Sequence, residues 1–227
     1  MNYASGLLLV DKPGDTTSHD VVDFIRKKFE QKKVGHAGTL DPFATGLLLI
    51  LLGGFTKRSK EFSDCDKEYE AVLELGASTD TGDREGKIIS EKKIPDIREG
   101  ELQKVFLEFS GKIKQVPPMF SAKKIKGKKL YDLARRGIVV KREPKEVFIH
   151  SLKILDFSLP RVSFYAKCSK GTYIRQLAHD IGERIGCGGY LSALRRTFIG
   201  PFSVREALPL DKLENAQHFY ENILQPQ

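Results

Sequence analysis

The chain opens on an apolar run, Gly6-Leu7-Leu8-Leu9-Val10, closed by Asp11-Lys12-Pro13-Gly14, a pattern that predicts a short buried strand ending in a turn. Thr17 or Ser18 then caps a helix through about Phe29, with Val21, Val22, Ile25 and Phe29 as its buried stripe. A second apolar run, Leu47 to Leu52, has no polar position in six residues and predicts a strand buried on both faces. Between Glu68 and Leu75 the pattern alternates, placing Tyr69, Ala71, Leu73 and Leu75 on the inner face of a half-exposed strand. Leu102, Val105, Phe106 and Phe109 predict a helix over about 98–109, stopped at Gly111. After Pro117-Pro118 come a strand and turn over 120–127 and a short helix over 128–136, ended by Gly137. Strands follow over 147–157 and 162–168. A helix opens at Gly171-Thr172 and runs to about Ile185 on Ile174, Leu177, Ala178 and Ile181, before a last strand from Tyr190 to Phe198. With no repeat and no long linker, the expectation is one α+β domain over residues 1–227.

Composition narrows the class. No apolar run reaches eighteen residues, and the N-terminus lacks a basic region with a small-residue cleavage site, so neither a membrane span nor secretion is indicated and the cytoplasm is expected. Cys65, Cys168 and Cys187 form an odd set without metal-type spacing, as expected of reduced thiols, and Cys168 falls on a core position. The net charge of +8 is unevenly placed. Residues 112–145 hold twelve Lys or Arg against Asp132 and Glu143, a local net of +10, which leaves about −2 for the rest. A solvated surface or a localisation tract is the plainer reading of such a block. Leu130, Tyr131, Leu133 and Ile138 to Val140 thread through it, so it reads as a folded electrostatic footprint for a phosphate backbone.

Residues 35–46 read Gly-His-Ala-Gly-Thr-Leu-Asp-Pro-Phe-Ala-Thr-Gly and isolate one acid, Asp41, in a loop whose other ionisable residue is His36. Glycines at both ends and Pro42 after the acid suit a stiff, substrate-cradling loop anchored to the apolar strand that follows, although Asp-Pro after small residues is equally an ordinary turn. The polar loop Ser78 to Gly86 carries Asp80, Asp83 and Glu85, but it lacks the twelfth-position Glu and flanking helices of a calcium loop, so no metal is expected.

Six blocks, in chain order, carry a resemblance: Gly6 to Val22, Gly35 to Pro42, Lys67-Glu68-Tyr69, Ser78 to Asp83, Pro117 to Ala122 and Cys168 to Arg175. Together they resemble the TruB family of tRNA pseudouridine synthases and span almost the whole chain. The resemblance implies the pseudouridine synthase fold, a mixed and mostly antiparallel sheet with flanking helices and a central RNA-binding cleft. It also implies isomerisation of uridine 55 in the T-arm loop of tRNA by base flipping, with no cofactor. The family's nucleophile matches Asp41, and its other catalytic positions match Tyr69 and Arg175. Tyr69, Tyr173, Leu194 and His36 match residues that hold the RNA, and Lys12 and Asp83, inside matching blocks, are counted with them. The basic block resembles the family's insertion over the T arm, so Lys123, Lys124, Lys126, Lys128, Lys129, Arg135 and Arg136 are the candidates for phosphate contact. The short stretch after Phe202 leaves no expected room for the C-terminal PUA domain common in the family. The partner expected is tRNA, bound by a monomer without an obligate protein partner.

The chemistry suits these residues. Breaking the N1–C1′ bond, turning the uracil and joining C5 to C1′ needs a carboxylate that bonds to the nucleotide, an apolar and aromatic wall, and no competing water. Arg175 pairs with Asp41 in this reading and keeps it ionised. Taken singly, a tyrosine at a strand start is more often core, and an arginine on a helix first turn is usually solvated. An RNA chaperone without chemistry is the alternative from another class, and nothing in the sequence favours it. A nucleosidase lacks the second catalytic carboxylate that hydrolysis generally uses.

Overall fold

The two apolar runs near the N-terminus pair with each other. In a computed structural model, which describes residues 4–121, 124, 125, 127–214 and 216–226, the chain divides into two units, Met1–Tyr69 with Leu194–Gln227 and Glu70–Ala193. The first unit begins with β1 (Gly6–Lys12), α1 (Ser18–Lys28), β2 (Val34–Ala37), β3 (Thr45–Leu52) and α2 (Ser59–Asp64), and leaves through β4 (Lys67–Leu75). The second continues with β5 (Ala77–Thr79), β6 (Ile88–Glu91), α3 (Glu99–Glu108), β7 (Gly111–Gln115), β8 (Lys124–Ile125) and β9 (Lys128–Lys129). It is completed by α4 (Leu130–Arg135), β10 (Lys145–Ser158), β11 (Arg161–Cys168) and α5 (Ile174–Ile185). Strand β12 (Gly189–Ile199) returns to the first unit, which ends with β13 (Phe202–Ser203), β14 (Leu208–Pro209) and α6 (Ala216–Glu221). Among the described residues no helix is long and apolar enough to cross a membrane.

In the first unit β1 and β3 are antiparallel, from Gly6 opposite Leu52 to Lys12 opposite Gly46. Period-two alternation sends Leu8, Val10, Leu48, Ile50 and Leu52 to a core with the α1 stripe and Phe219. Leu7, Leu9, Leu47, Leu49 and Leu51 go to a second core with Phe62 and Ile199. Both faces of β3 are therefore buried, as its unbroken apolar run requires. Its other edge is shared end to end: β2 pairs antiparallel with Leu49–Leu52, and β12 pairs parallel at Thr45 and Gly46. Strand β2 lies inside residues read above as loop; only β3's open edge makes it a strand. Helix α1 has Thr17 as its cap, with a reciprocal bond to Asp20, so that Thr17 Oγ1 accepts from the Asp20 amide at 3.0 Å.

In the second unit β4, β11, β10 and β7 follow in order across a sheet, with β12 on the far side of β4. Leu73, Val147, Ile149, Val162, Phe164 and Ala166 are buried, as are Leu102 and Phe106 of α3 and Leu177, Ala178 and Ile181 of α5. Phe106 meets Phe164 edge-on at 5.8 Å. Helix α5 starts two residues later than Gly171-Thr172, because Tyr173 is the extended N-cap. Strand β7, where only the end of a helix was expected, pairs with β10. Cys168 and Cys187 are buried and form no disulfide.

Candidate active site

Asp41 is the first residue of a turn closed by the Ala44 amide donating to the Asp41 carbonyl at 3.1 Å. Pro42 occupies the second position, where its fixed φ is suited, and Phe43 and Ala44 are buried, so the turn is anchored by its own apolar residues. Asp41 itself is half-buried. Two neighbours brace the turn. Ser18, at the start of α1, exchanges two hydrogen bonds with the backbone of Leu40, and the buried Lys12 ammonium donates to the Pro42 carbonyl at 3.1 Å. Lys12 also donates to the carbonyls of Pro13 and Thr16, at 2.7 and 2.6 Å, so the side chain expected to bind substrate ties β1 to the Asp41 loop.

Strand β12 supplies the opposite wall. Leu194 and Arg196 are two residues apart and share a face. Leu194 is buried, and Arg196 is 1% exposed. The Arg196 guanidinium donates through Nε to the Leu47 carbonyl at 2.8 Å and through Nη2 to the Gly38 carbonyl at 3.0 Å. Burial pulls its pKa below the ordinary value, while Tyr69, through its charge and a side-chain hydrogen bond, and Asp41 act in the opposite sense. Tyr69 is buried, at 8% exposure. Lys67, on the same face of β4, turns its ammonium to the carbonyls of Ser63 and Cys65 at the end of α2. On the other face of β12, Arg195 makes two bonds to Asp11, of 3.0 and 2.6 Å.

His36 lies on β2, and its Nδ1 is buried without a hydrogen-bond partner among the described residues. Burial lowers its pKa, and the positive charges of Arg196 and then His19 lower it further, so the imidazole is neutral at pH 7.

Within the second unit, Arg175 is 3% exposed and ion-paired with Asp83 at 3.4 Å, and it donates to the carbonyls of Thr81 at 2.7 Å and Phe120 at 2.8 Å. Asp83 is itself buried. Its Oδ1 accepts from Thr81 Oγ1 at 2.7 Å and from the Glu85 amide at 3.0 Å, so it serves to order the polar loop and Arg175. Tyr173 is clamped through its backbone: its amide donates to Gln115 Oε1 at 3.0 Å, and its carbonyl accepts from Gln115 Nε2 at 3.1 Å. In the basic block, Leu130 and Leu133 of α4 are buried and Arg136 is exposed. Lys123 and Lys126 lie outside the described residues, as do the side chains of Lys124, Lys128, Lys129 and Arg135.

Arg196 was not singled out above. Its one signal in the sequence is a cation two residues after Leu194 on the inward face of an apolar strand, a position where charge needs partners. Ser18 and Lys67 carried still less signal, since their partners are backbone carbonyls and amides.

Two family descriptions match the chain: the N-terminal domain of TruB family pseudouridylate synthase over residues 26–174, and the C-terminal domain of tRNA pseudouridylate synthase B over residues 175–227. A tRNA pseudouridine synthase B of Opitutus terrae is 47% identical over 209 residues, 92% of this chain and 87% of that protein. Its namesake in Protochlamydia amoebophila is 45% identical over 224 residues, 98% and 85% of the two chains. In Geotalea uraniireducens the figures are 49% over 206 residues, with 91% and 66% covered. A solved structure described as a Cbf5-Nop10-Gar1 complex is similar with a TM-score of 0.75 at 31% identity, covering 95% of this chain and 55% of that one. An H/ACA RNP bound to a substrate RNA containing 2′-deoxyuridine gives a TM-score of 0.70 at 28% identity, covering 95% and 54%. The chain thus spans little more than half the length of these two solved chains.

Proposed function

Because the chain belongs to the TruB family of pseudouridylate synthases and has the pseudouridine synthase fold, we propose that it converts uridine 55 in the T-arm loop of tRNA to pseudouridine, with Asp41 as the nucleophile. The observation that carries this reading is that the buried Arg196 bonds the Asp41 loop on both sides of the acid, at the Gly38 and Leu47 carbonyls, beside the buried Tyr69. A carboxylate on an anchored turn, a tyrosine ring and the Leu194 side chain on the neighbouring strand make the acid and the apolar wall that the chemistry requires.

The reaction balances without a redox partner: the N1–C1′ bond breaks, a C5–C1′ bond forms, and the C5 proton leaves to solvent while N1 gains one. Asp41 bonds to the nucleotide in the intermediate. Tyr69 stacks on the flipped uracil and offsets part of the unstacking cost, about a few kcal/mol. Leu194 closes the other side, and Tyr173 holds the RNA in the sense that its match in the family implies. Arg175, held by Asp83, serves the reaction in the role that its match in the family implies. His36 helps to hold the RNA loop, as its match in the family implies. The basic block grips the T-arm phosphates.

Tritium release from C5-tritiated uridine in a T-arm stem-loop tests the proposal. Release by the wild-type protein and none by Asp41→Asn, at unchanged RNA affinity, is the expected result. No release by either protein, with RNA still bound, would overturn it and point to RNA remodelling or to a different RNA substrate.

A further inference from the structure

We propose that Arg196 is the positioning residue of the Asp41 loop, a single guanidinium that pins both limbs of the loop and holds Tyr69 beside it. The inference rests on Asp41 as nucleophile for its kinetic consequences, though not for its structural ones.

The geometry carries it. Gly38 lies three residues before Asp41 and Leu47 six after, and Arg196 donates to the carbonyls of both, at 3.0 and 2.8 Å. A fork of fixed angle that reaches two limbs sets the distance between them, and with it the mouth of the loop. The backbone of β12 closes in as well. A Cβ at Gly46 would lie 2.2 Å from the Arg196 carbonyl oxygen, so the second limb sits directly on the residue that pins it. At Gly38 a Cβ would lie 3.5 Å from Arg196 Nη1 and 3.9 Å from Lys67 Cε. The same guanidinium shares a side-chain hydrogen bond with Tyr69. The Asp41 loop and Tyr69 are therefore referenced to one rigid cation, itself fixed by β12.

Burial explains why an arginine fills this place. A cation with 1% exposure requires acceptors in several directions, and two carbonyls, a hydroxyl and a nearby carboxylate supply them. A lysine carries the charge as a point and cannot span Gly38 and Leu47 with fixed geometry.

The test separates positioning from folding. Arg196→Lys is expected to bind T-arm RNA within threefold of wild type, while its single-turnover rate of tritium release falls at least 100-fold. Hydrogen exchange at the amides of residues 38–47 is expected to quicken at least tenfold, with β10 and β11 unchanged. A rate within threefold of wild type would overturn the proposal, as would a loss of RNA affinity that accounts for the whole loss of rate. The exchange readout does not depend on activity, so a wild-type protein that releases no tritium sinks the isomerase reading alone. If Arg196→Lys does not fold, native-state exchange on the wild-type protein decides. Amides 38–47 opening together with that of Arg196 is the expected outcome, and a loop that opens by itself overturns the pin.

Discussion

Ser18 and Leu40, twenty-two residues apart, are joined by two hydrogen bonds: the Leu40 amide donates to Ser18 Oγ at 2.9 Å, and Ser18 Oγ donates to the Leu40 carbonyl at 3.2 Å. One hydroxyl thereby satisfies both backbone groups of the residue before Asp41, in a place where Ser18 is 2% exposed and Leu40 is 3% exposed. Ser18→Ala leaves a buried donor and acceptor unpaired and is expected to cost about 1–3 kcal/mol. Urea denaturation reads that loss. Single-turnover tritium release is expected to slow with it, because the freed backbone adjoins Asp41, the proposed nucleophile.

Gly46 is where the loop meets β12 most closely. Its φ of +104° disfavours any side chain, and a Cβ would lie 2.2 Å from the Arg196 oxygen and 2.8 Å from its nitrogen, both backbone atoms that cannot swing away. Gly46→Ala is expected to cost more than about 3 kcal/mol. Gly100 in α3 is the control, with nothing within 4 Å of its Cβ site. Gly100→Ala is expected to stabilise by about 0.5–1 kcal/mol. Thermal melts of the two variants should move in opposite directions.

Arg175 and Asp83 form a pair whose side chains are 4% and 5% exposed. Asp83→Asn strands the cation and is expected to destabilise by about 3–5 kcal/mol. A double-mutant cycle with Arg175→Met distinguishes a coupled pair from two independent side chains, since the double variant should lose less than the sum of the singles. Additive losses would show that the pair does not act as one.

These pairings divide what the sequence carries from what it does not. Leu8, Val10, Leu48 and Ile50 were legible as core, and Thr17 as a cap, because apolar period and capping are local. The Asp41 loop was legible through its isolated acid and its glycines. Strand β2 was not. Val34-Gly35-His36-Ala37 has no strand pattern of its own and exists because β3 offers it an edge. Helix α2 buries Phe62 alone, too little for a stripe. Arg196 stood in plain view beside Leu194, yet its meaning lies in register: β12 meets β3 at Gly46, and that setting alone brings its guanidinium between residues 38 and 47. The bond from Arg175 to Asp83 spans ninety-two positions and has no local trace.

His36 gives the protein a pH dependence of known sign. Its folded pKa lies below the unfolded value of about 6.5, chiefly through burial, so the unfolded chain binds the proton more readily. Above about pH 6.5 the contribution of the neutral ring is intact. As pH falls from there towards the folded pKa it is lost, and below the folded pKa the loss levels off. Urea midpoints between pH 5 and 8 should show this slope in wild type and not in His36→Gln. An equal slope in both would place the titration elsewhere.

Salt dependence tests the basic block. Its helix α4 is anchored through buried Leu130 and Leu133, and the Tyr131 amide donates to the Ser121 carbonyl at 3.1 Å, so the block presents its charge from a folded base. Among the described residues, Lys112 meets Glu146 at 2.8 Å, Lys141 meets Glu143 at 3.4 Å, and Arg142 donates to the Pro117 carbonyl at 3.1 Å. The seven candidates named from the sequence do not include Lys112, Lys141 or Arg142. If all seven contact phosphates, log Kobs for T-arm RNA should fall against log salt with a slope of about −5 to −6, at roughly 0.7–0.9 per contact. Arg136, exposed at the end of α4, allows a single-residue check. Arg136→Gln should shallow the slope by about 0.7–0.9 and weaken binding without changing the single-turnover rate at saturating RNA. A wild-type slope near zero would mean that the block does not grip the phosphate backbone, whatever its charge.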